Sequence, residues 1–238
     1  MTGREILLRA IRNESTPRPA WVPFVGCHGG ALIDRPADEY LRSGELIAAG
    51  LLRADELYRP DGLPIAFDLQ MEAEILGCEL RWAHNGPPSV SSHPLANGCA
   101  LADLPEFSAE RGRFPEVLAA LRAVKAEIGD RVALYGLICG PFTLALHLLG
   151  NNIFLEMFDD EAGVRALVDF CARVGTQAAD AYLDHGADVV AVVDPMVSQI
   201  SPEHFGQFVA EPANTLFDHI RARGAVASLF CCGDELPE

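Results

Sequence analysis

Short runs of apolar residues alternate along this chain with longer segments of mixed polarity, which predicts strands and helices in alternation. The clearest helix is 160–184, where apolar side chains recur every three to four residues, acids occupy the first turn and Gly186 follows the end. Apolar runs without polar alternation predict strands that are buried on both faces, as in a parallel sheet. The predicted strands are 20–25, 64–67, 131–137, 188–193 and 225–231.

Further helices are predicted before and between these strands. They are 3–12, 38–57, 69–76, 115–128 and 201–223. Ser201 and Pro202 mark the start of the last helix, because serine caps a helix and proline fits its first turn. Pro212 within that helix predicts a kink or a break.

The chain reads as one domain over residues 1–238. Within it, the segment 78–95 contains Asn85-Gly86 and Pro87-Pro88 between residues of alternating character. Such turn residues predict a hairpin-like insertion on the surface.

Composition excludes some classes of partner. Half of the 238 residues are hydrophobic, which is enough for a large core, and 34 acids against 18 Lys and Arg give a formal charge of -16. That charge repels phosphate backbones and anionic lipid, so neither nucleic acid nor a membrane is an expected partner. Seven cysteines without a secretory leader pattern predict free thiols and a cytoplasmic location.

Chemically competent side chains follow several of the predicted strands. Because parallel strands end at one edge of a sheet, we expect these side chains to meet there. Their mix of thiol, imidazole and carboxylate suits a borderline metal, although no CxxC or HExxH motif supports one. The candidates are Cys27, His28, Asp68, Glu72, Cys139, Asp194, and Cys231 or Cys232.

Each candidate also has a structural interpretation. Free cysteines commonly act as small buried hydrophobes, which we expect for Cys78, Cys99 and Cys171. Asp194, followed by proline, suits a turn. Glu72 suits the first turn of a helix. The residues alone leave these alternatives open.

Several short motifs occur in order along nearly the whole chain. They are Leu63 through Cys78, Gly140-Pro141-Phe142-Thr143-Leu144-Ala145, Gly186-Ala187-Asp188, Asp194-Pro195, Ser201-Pro202 and Cys232-Gly233-Asp234. Together these motifs resemble the uroporphyrinogen decarboxylase superfamily. The Glu-Ala-Glu-x-Leu-Gly segment and the Asp-Pro after the fourth strand are more similar to its cobamide-dependent methyltransferase branch.

The resemblance implies an α/β fold of the (β/α)8 TIM-barrel type, with its site at the carboxyl ends of the strands. Only about the first five βα units are predicted in this chain. We therefore expect a C-terminally truncated barrel, with a self-contained sheet or an assembly completed by another copy as alternatives, since an open barrel exposes apolar strand edges.

The resemblance also implies a function, namely transfer of a methyl group between a methylated corrinoid, carried on a partner protein, and a thiol or another small acceptor. In this interpretation Asp194 and Glu72 are catalytic and orient the acceptor or handle its proton. The substrate-binding residues are Cys27, His28, Asp68 and Cys139.

The resemblance also bears on a zinc site. The methyltransferase branch binds zinc through a His-x-Cys after the fifth strand and a later Cys, and the metal activates the acceptor thiol. Cys232 matches one ligand and Asp234 the acidic residue that follows, but Phe230 stands where the His is expected. This mismatch favours an alternative in which the chain binds a corrinoid or partner without catalysis. A decarboxylase is a further alternative, although residues 25–30 lack the arginine that its tetrapyrrole substrate needs.

Overall fold

A computed structural model describes residues 1–232 of the chain. Within that range four strands form a parallel sheet in the order β1-β4-β5-β6, and β2 pairs with β3 in a separate antiparallel hairpin. The strands are β1 (Gly62–Pro64), β2 (Leu80–Ala83), β3 (Gly86–Val90), β4 (Ala133–Cys139), β5 (Val189–Val193) and β6 (Val226–Phe230).

Helices precede, connect and flank the strands of the sheet. None in the described range is both long and apolar enough to cross a membrane. They are α1 (Gly3–Ile11), α2 (His28–Ala31), α3 (Ala37–Tyr40), α4 (Gly44–Tyr58), α5 (Met71–Ile75), α6 (Phe114–Ile128), α7 (Pro141–Leu149), α8 (Ile153–Asp159), α9 (Glu161–Asp184), α10 (Pro202–His204) and α11 (Ala210–Ala222).

Local sequence signals explain where several helices begin and break. Asp160 caps α9 by accepting a hydrogen bond from the Gly163 N–H, and Ser201 caps α10 in the same way. The predicted break near Pro212 is found just before it, as a π-helical turn at Phe205–Val209 between α10 and α11. Pro212 lies in the first turn of α11 and has no N–H to donate back into this π-helical turn, which accounts for the break at that point.

The first predicted strand, 20–25, is wrong. This segment runs beside β1, but within the described residues a single backbone hydrogen bond ties it there, from the Asp61 N–H to the Trp21 carbonyl. Pro19 and Pro23 have no N–H to donate, so a regular ladder cannot form. The described part of the chain therefore has four parallel strands where the hydrophobic pattern predicts five.

Both faces of β4 and β5 are covered, as predicted for a parallel sheet, whereas β6 at the edge is only partly buried and its Leu229 is exposed. Side chains such as Ile138 and Val192 face α4, α6, α9 and α11 on one side. On the other side, Leu137 and Val193 pack beneath α1 and the extended segment that contains Phe24. The carboxyl ends of the strands border this second face.

Candidate functional site

The carboxyl ends of β4, β5 and β6 lie side by side. Cys139, Val193 and Phe230 are register partners, so the residues that follow them share one edge of the sheet. Backbone hydrogen bonds continue past this level, from the Asp194 N–H to the Phe230 carbonyl at 3.0 Å. The register of the three strands therefore accounts for the predicted convergence of their carboxyl ends.

Asp194 is almost fully buried, with 2% of its surface exposed. Its Oδ1 accepts hydrogen bonds from the Thr143 N–H at 2.8 Å and the Thr143 hydroxyl at 2.6 Å, and its Oδ2 accepts one from the Phe142 N–H at 3.1 Å. Burial raises the pKa of Asp194, while these hydrogen bonds lower it. The carboxylate thus holds the first turn of α7 and has little acceptor capacity left for a substrate.

Gly140 makes this arrangement possible. A Cβ atom at position 140 would overlap the side-chain carbons of Asp194. The absence of a side chain lets the end of β4 approach Asp194 closely while α7 begins at the next residue.

Glu72 is the other predicted catalytic residue, and it is fully buried in α5. Its Oε1 accepts a hydrogen bond from the Cys139 N–H at 3.1 Å, whereas Oε2 has no partner among the described residues. Burial raises the pKa of Glu72 to about 7, and the bond from Cys139 opposes that rise. A carboxyl group with such a pKa can take up or release a proton near neutrality.

Asp68 lies after β1 and is 3% exposed. One oxygen accepts a hydrogen bond from the Gln70 N–H at 3.0 Å, and the other pairs with the guanidinium group of Arg113. Arg113 also binds Glu74, with Nε 2.8 Å from Oε2. This ion-pair network joins the end of β1 to the start of α6.

Arg113 is a site residue that the sequence reasoning missed. It is the residue immediately before α6, where the positive end of the helix dipole disfavours a cation. That unfavourable position is the signal that could have identified it, since it indicates another partner. The structure shows two carboxylates in that role and the Trp82 ring, whose centroid lies 4.8 Å from the guanidinium carbon.

Cys27 and His28 differ in their placement. Cys27 is half-buried at the start of α2; burial raises the pKa of its thiol, and the nearby charge of Asp68 raises it further. His28 is exposed, and its Nε2 lies 2.7 Å from the Tyr58 hydroxyl. Of the predicted carboxylates, Asp68 is the one whose charge acts on Cys27, and among the described residues no hydrogen bond links His28 to any of them.

Cys139 is 1% exposed, and burial raises the pKa of its thiol well above the usual value. It shares an apolar cluster with Cys78 and Cys171, which matches the structural interpretation of those two residues. Cys139 contributes to the site through its backbone N–H, which binds Glu72. None of the seven cysteines forms a disulfide.

Three phenylalanines form an aromatic group at the end of β6. Phe230 stacks on Phe24 with ring centroids 4.5 Å apart, and Phe67 stands nearly perpendicular to both at 5.5 and 6.1 Å. Phe230 therefore fills, with an apolar ring, the place where the resemblance implies a zinc-binding histidine.

The described residues do not fit a zinc centre. Within 1–232, no three His, Cys, Asp or Glu side chains are grouped to hold one metal ion. Cys232 is exposed, and the predicted Gly233-Asp234 segment lies outside the described residues.

The fold and the site together define an α/β protein with buried acids at the carboxyl edge of a parallel sheet, where enzymes of this class place their chemistry. The chain belongs to the uroporphyrinogen decarboxylase (URO-D) family, whose model matches residues 2–237. The family resemblance drawn from the short motifs is confirmed.

Both branches of the family occur among its relatives. The chain is 29% identical to the methylcobamide:CoM methyltransferase MtbA of Methanosarcina mazei, over 98% of this chain and 70% of the relative. It is 31% identical to MtaA of Methanosarcina barkeri, over 69% of this chain and 50% of the relative. It is 27% identical to the uroporphyrinogen decarboxylase of Thermus thermophilus, over 96% and 70%. The chain thus spans between half and about 70% of these relatives.

A solved structure shares the fold. A methyltransferase from Methanosarcina mazei superposes with a TM-score of 0.87 at 26% identity, over 98% of this chain and 71% of that one. The α/β fold with a parallel sheet is therefore common to both proteins.

Proposed function

We propose that this chain acts in corrinoid-dependent methyl transfer, with a methylated cobamide on a carrier protein as donor and a thiol or another small molecule as acceptor. The observation that carries the proposal is the likeness to the Methanosarcina mazei methyltransferase over 98% of the chain. The methylcobamide:CoM methyltransferases among the relatives support the same class of reaction.

The reaction needs an acceptor for a proton. When a thiol attacks a corrinoid-bound methyl group, sulfur gains a bond to carbon, the bond from carbon to cobalt breaks with its electrons left on cobalt, and the thiol proton must leave. We assign Glu72 as the base, because burial raises its pKa to about 7 and its Oε2 has no hydrogen-bond partner among residues 1–232.

The remaining predicted residues take supporting roles in this proposal. Asp194 positions α7 against β5, and Cys139 orients the Glu72 carboxyl group through its N–H. We assign Cys27 and Asp68, whose charge acts on the Cys27 thiol, to binding of the acceptor. We route no step through zinc, because Phe230 is packed against Phe24 at the place of the expected ligand.

The test uses the chain with methylcobalamin as donor and coenzyme M as thiol, and follows the loss of methylcobalamin absorbance. We expect turnover that falls at least about 100-fold in Glu72→Gln, the usual loss when a general base is removed. Glu79→Gln, the same change at an exposed glutamate on the nearby hairpin segment, should leave the rate unchanged. Release of carbon dioxide from a porphyrinogen without methyl transfer would instead establish a decarboxylase, and corrinoid binding without turnover a non-catalytic role.

A further inference from the structure

Three arginines line a cavity at the end of the sheet where the strands begin. The cavity has a volume of about 640 Å³, which is within the usual range for small-molecule sites, and Arg18, Arg59 and Arg131 form part of its wall. Gly3, the first residue of α1, lines it as well. We call this space the basal cavity.

Short distances bring the residues of this wall together. A Cβ atom on Gly3 would lie 2.7 Å from Asp61 Oδ1 and 3.2 Å from the Arg131 carbonyl oxygen, so the lack of a side chain lets α1 begin this close to both. Arg18 Nη2 lies 2.7 Å from Asp61 Oδ1, and Arg131 Nη1 lies 2.9 Å from Asp55 Oδ1. The start of α1 and two guanidinium groups therefore share one site.

The two aspartates of the wall lie beneath the arginines. The Arg18 side chain is 50% exposed and that of its partner Asp61 is 1% exposed, and the values for Arg131 and Asp55 are 47% and 5%. Both oxygens of each aspartate already accept hydrogen bonds from a guanidinium group. A ligand that enters the basal cavity therefore meets guanidinium groups rather than free carboxylate oxygens.

Donor groups remain available in this wall. A guanidinium group has five N–H donors, and Asp55 uses only two of those on Arg131. The Gly3 N–H, at the positive end of α1, has no hydrogen-bond partner within residues 1–232. Glu56, the third acid of the wall, is paired with Arg53 at 2.8 Å.

Arg59 is a cation without a counterion. It is exposed, and its guanidinium group makes no ion pair with any acid in the described part of the chain. Its backbone is left-handed, with φ +48°, and its N–H donates to the Asp55 carbonyl oxygen at 2.9 Å where α4 ends. Glycine usually occupies this position, and a larger residue held in such a conformation often marks a functional site. An unpaired arginine beside the other two suits an anionic ligand.

We propose that the basal cavity binds a phosphate group, either as the free ion or as the ester of a small molecule. Guanidinium groups and the N–H groups at a helix start both match phosphate oxygens. The site lies at the opposite end of the sheet from Glu72 and Asp194, and it does not depend on the proposed function.

Titration calorimetry at constant ionic strength tests the site, with inorganic phosphate and ribose 5-phosphate as probes and ribose as the uncharged control. We expect saturable binding of one phosphate group per chain and no binding of ribose. Arg59→Gln should weaken binding about tenfold, because it removes a charged donor without breaking an ion pair. Arg122→Gln, the same change at an exposed arginine on α6, should bind like wild type.

The two probes also distinguish the sources of the phosphate group. Tighter binding of ribose 5-phosphate than of inorganic phosphate assigns the site to esters, whereas equal or weaker binding assigns it to the free ion. The absence of saturable binding, or the same affinity in Arg59→Gln and Arg122→Gln, would overturn the proposal.

Chemical modification of arginine gives a second readout that needs no variant. Phenylglyoxal modifies accessible guanidinium groups, and mass spectrometry of proteolytic fragments reports each position separately. Saturating phosphate should slow the modification of Arg59 and leave the rate at Arg122 unchanged. Equal protection of both residues, or of neither, contradicts the site. Neither experiment measures methyl transfer, so an inactive protein that binds phosphate in this way would refute only the proposed function.

Discussion

Buried carboxylates have different hydrogen-bond partners at the two ends of the parallel sheet. At the end where the strands begin, three aspartates with largely buried side chains each pair with a more exposed arginine. Such pairs satisfy the carboxylate oxygens with charge-assisted hydrogen bonds. The pairs are Asp55 with Arg131, Asp61 with Arg18 and Asp188 with Arg4.

At the carboxyl end, two of the buried acids have no cation in contact within residues 1–232. Glu72 and Asp194 rely on backbone N–H groups and a hydroxyl, and burial raises the pKa of both. Asp68 is the exception, because Arg113 pairs with it. The comparison indicates that the acids where the strands begin stabilise the fold. Those at the carboxyl end also hold neighbouring backbone groups, but they have a raised affinity for protons.

The largest effect should come from Asp194→Ala. It leaves two N–H groups and one hydroxyl in the first turn of α7 without an acceptor, so we expect a loss of about 3–5 kcal/mol in the free energy of unfolding. Denaturant titration measures it. Asp194→Asn keeps one acceptor oxygen and should lose less; equal losses would show that the ionised form matters most.

Glu72 should make stability depend on pH in a defined direction. Because its pKa rises from 4.5 in the unfolded chain to about 7 in the folded protein, its contribution is fully present below 4.5 and is lost as the pH rises through about 7. The stability difference between wild type and Glu72→Gln should therefore shift by roughly 3 kcal/mol against wild type over that window. A difference that stays flat from pH 4 to pH 8 would contradict the burial effect.

At the opposite end, Asp61→Asn should have a smaller effect. It weakens the pair with half-exposed Arg18, while the Trp21 N–H keeps an acceptor, so we expect a loss of about 1–2 kcal/mol. The difference from wild type should shrink in 1 M salt, which screens an exposed cation. The rate of the proposed methyl transfer should be unchanged. A lower rate in a variant that remains folded at the assay temperature would contradict the functional difference between the two ends.

Phe230→Leu should have the smallest effect. It removes the stacking on Phe24 but retains an apolar side chain, so we expect a loss of about 1 kcal/mol in the free energy of unfolding. Thermal unfolding measures it, and Leu229→Ala, at an exposed neighbour on β6, is the control.

Regular periodicity made much of the fold predictable. The 3.6-residue stripe identified α9 within one residue at its start, and uniform apolar runs located β4, β5 and β6. The segment 20–25 has the same apolar character, but its prolines prevent pairing, and the hydrophobic pattern does not record that loss of donors.

The site was predictable only in part, because tertiary partners decide what each acid does. Position in the chain indicated that Glu72 and Asp194 lie near the strand ends. It could not show that Asp194 is held by α7 across 51 residues of sequence, or that Arg113 pairs with Asp68 across 45. Those contacts depend on side-chain packing between elements that local patterns treat separately.

The close approach of Gly140 to Asp194 limits the order in which substitutions at these two positions can accumulate. Any larger residue at 140 must displace the carboxylate that holds α7, so such a substitution becomes tolerable only after position 194 has lost its side chain. That first change is itself strongly destabilising, so the effects of substitutions at 140 and 194 depend on each other. Random libraries should therefore recover substitutions at 140 only in variants that are already stabilised elsewhere.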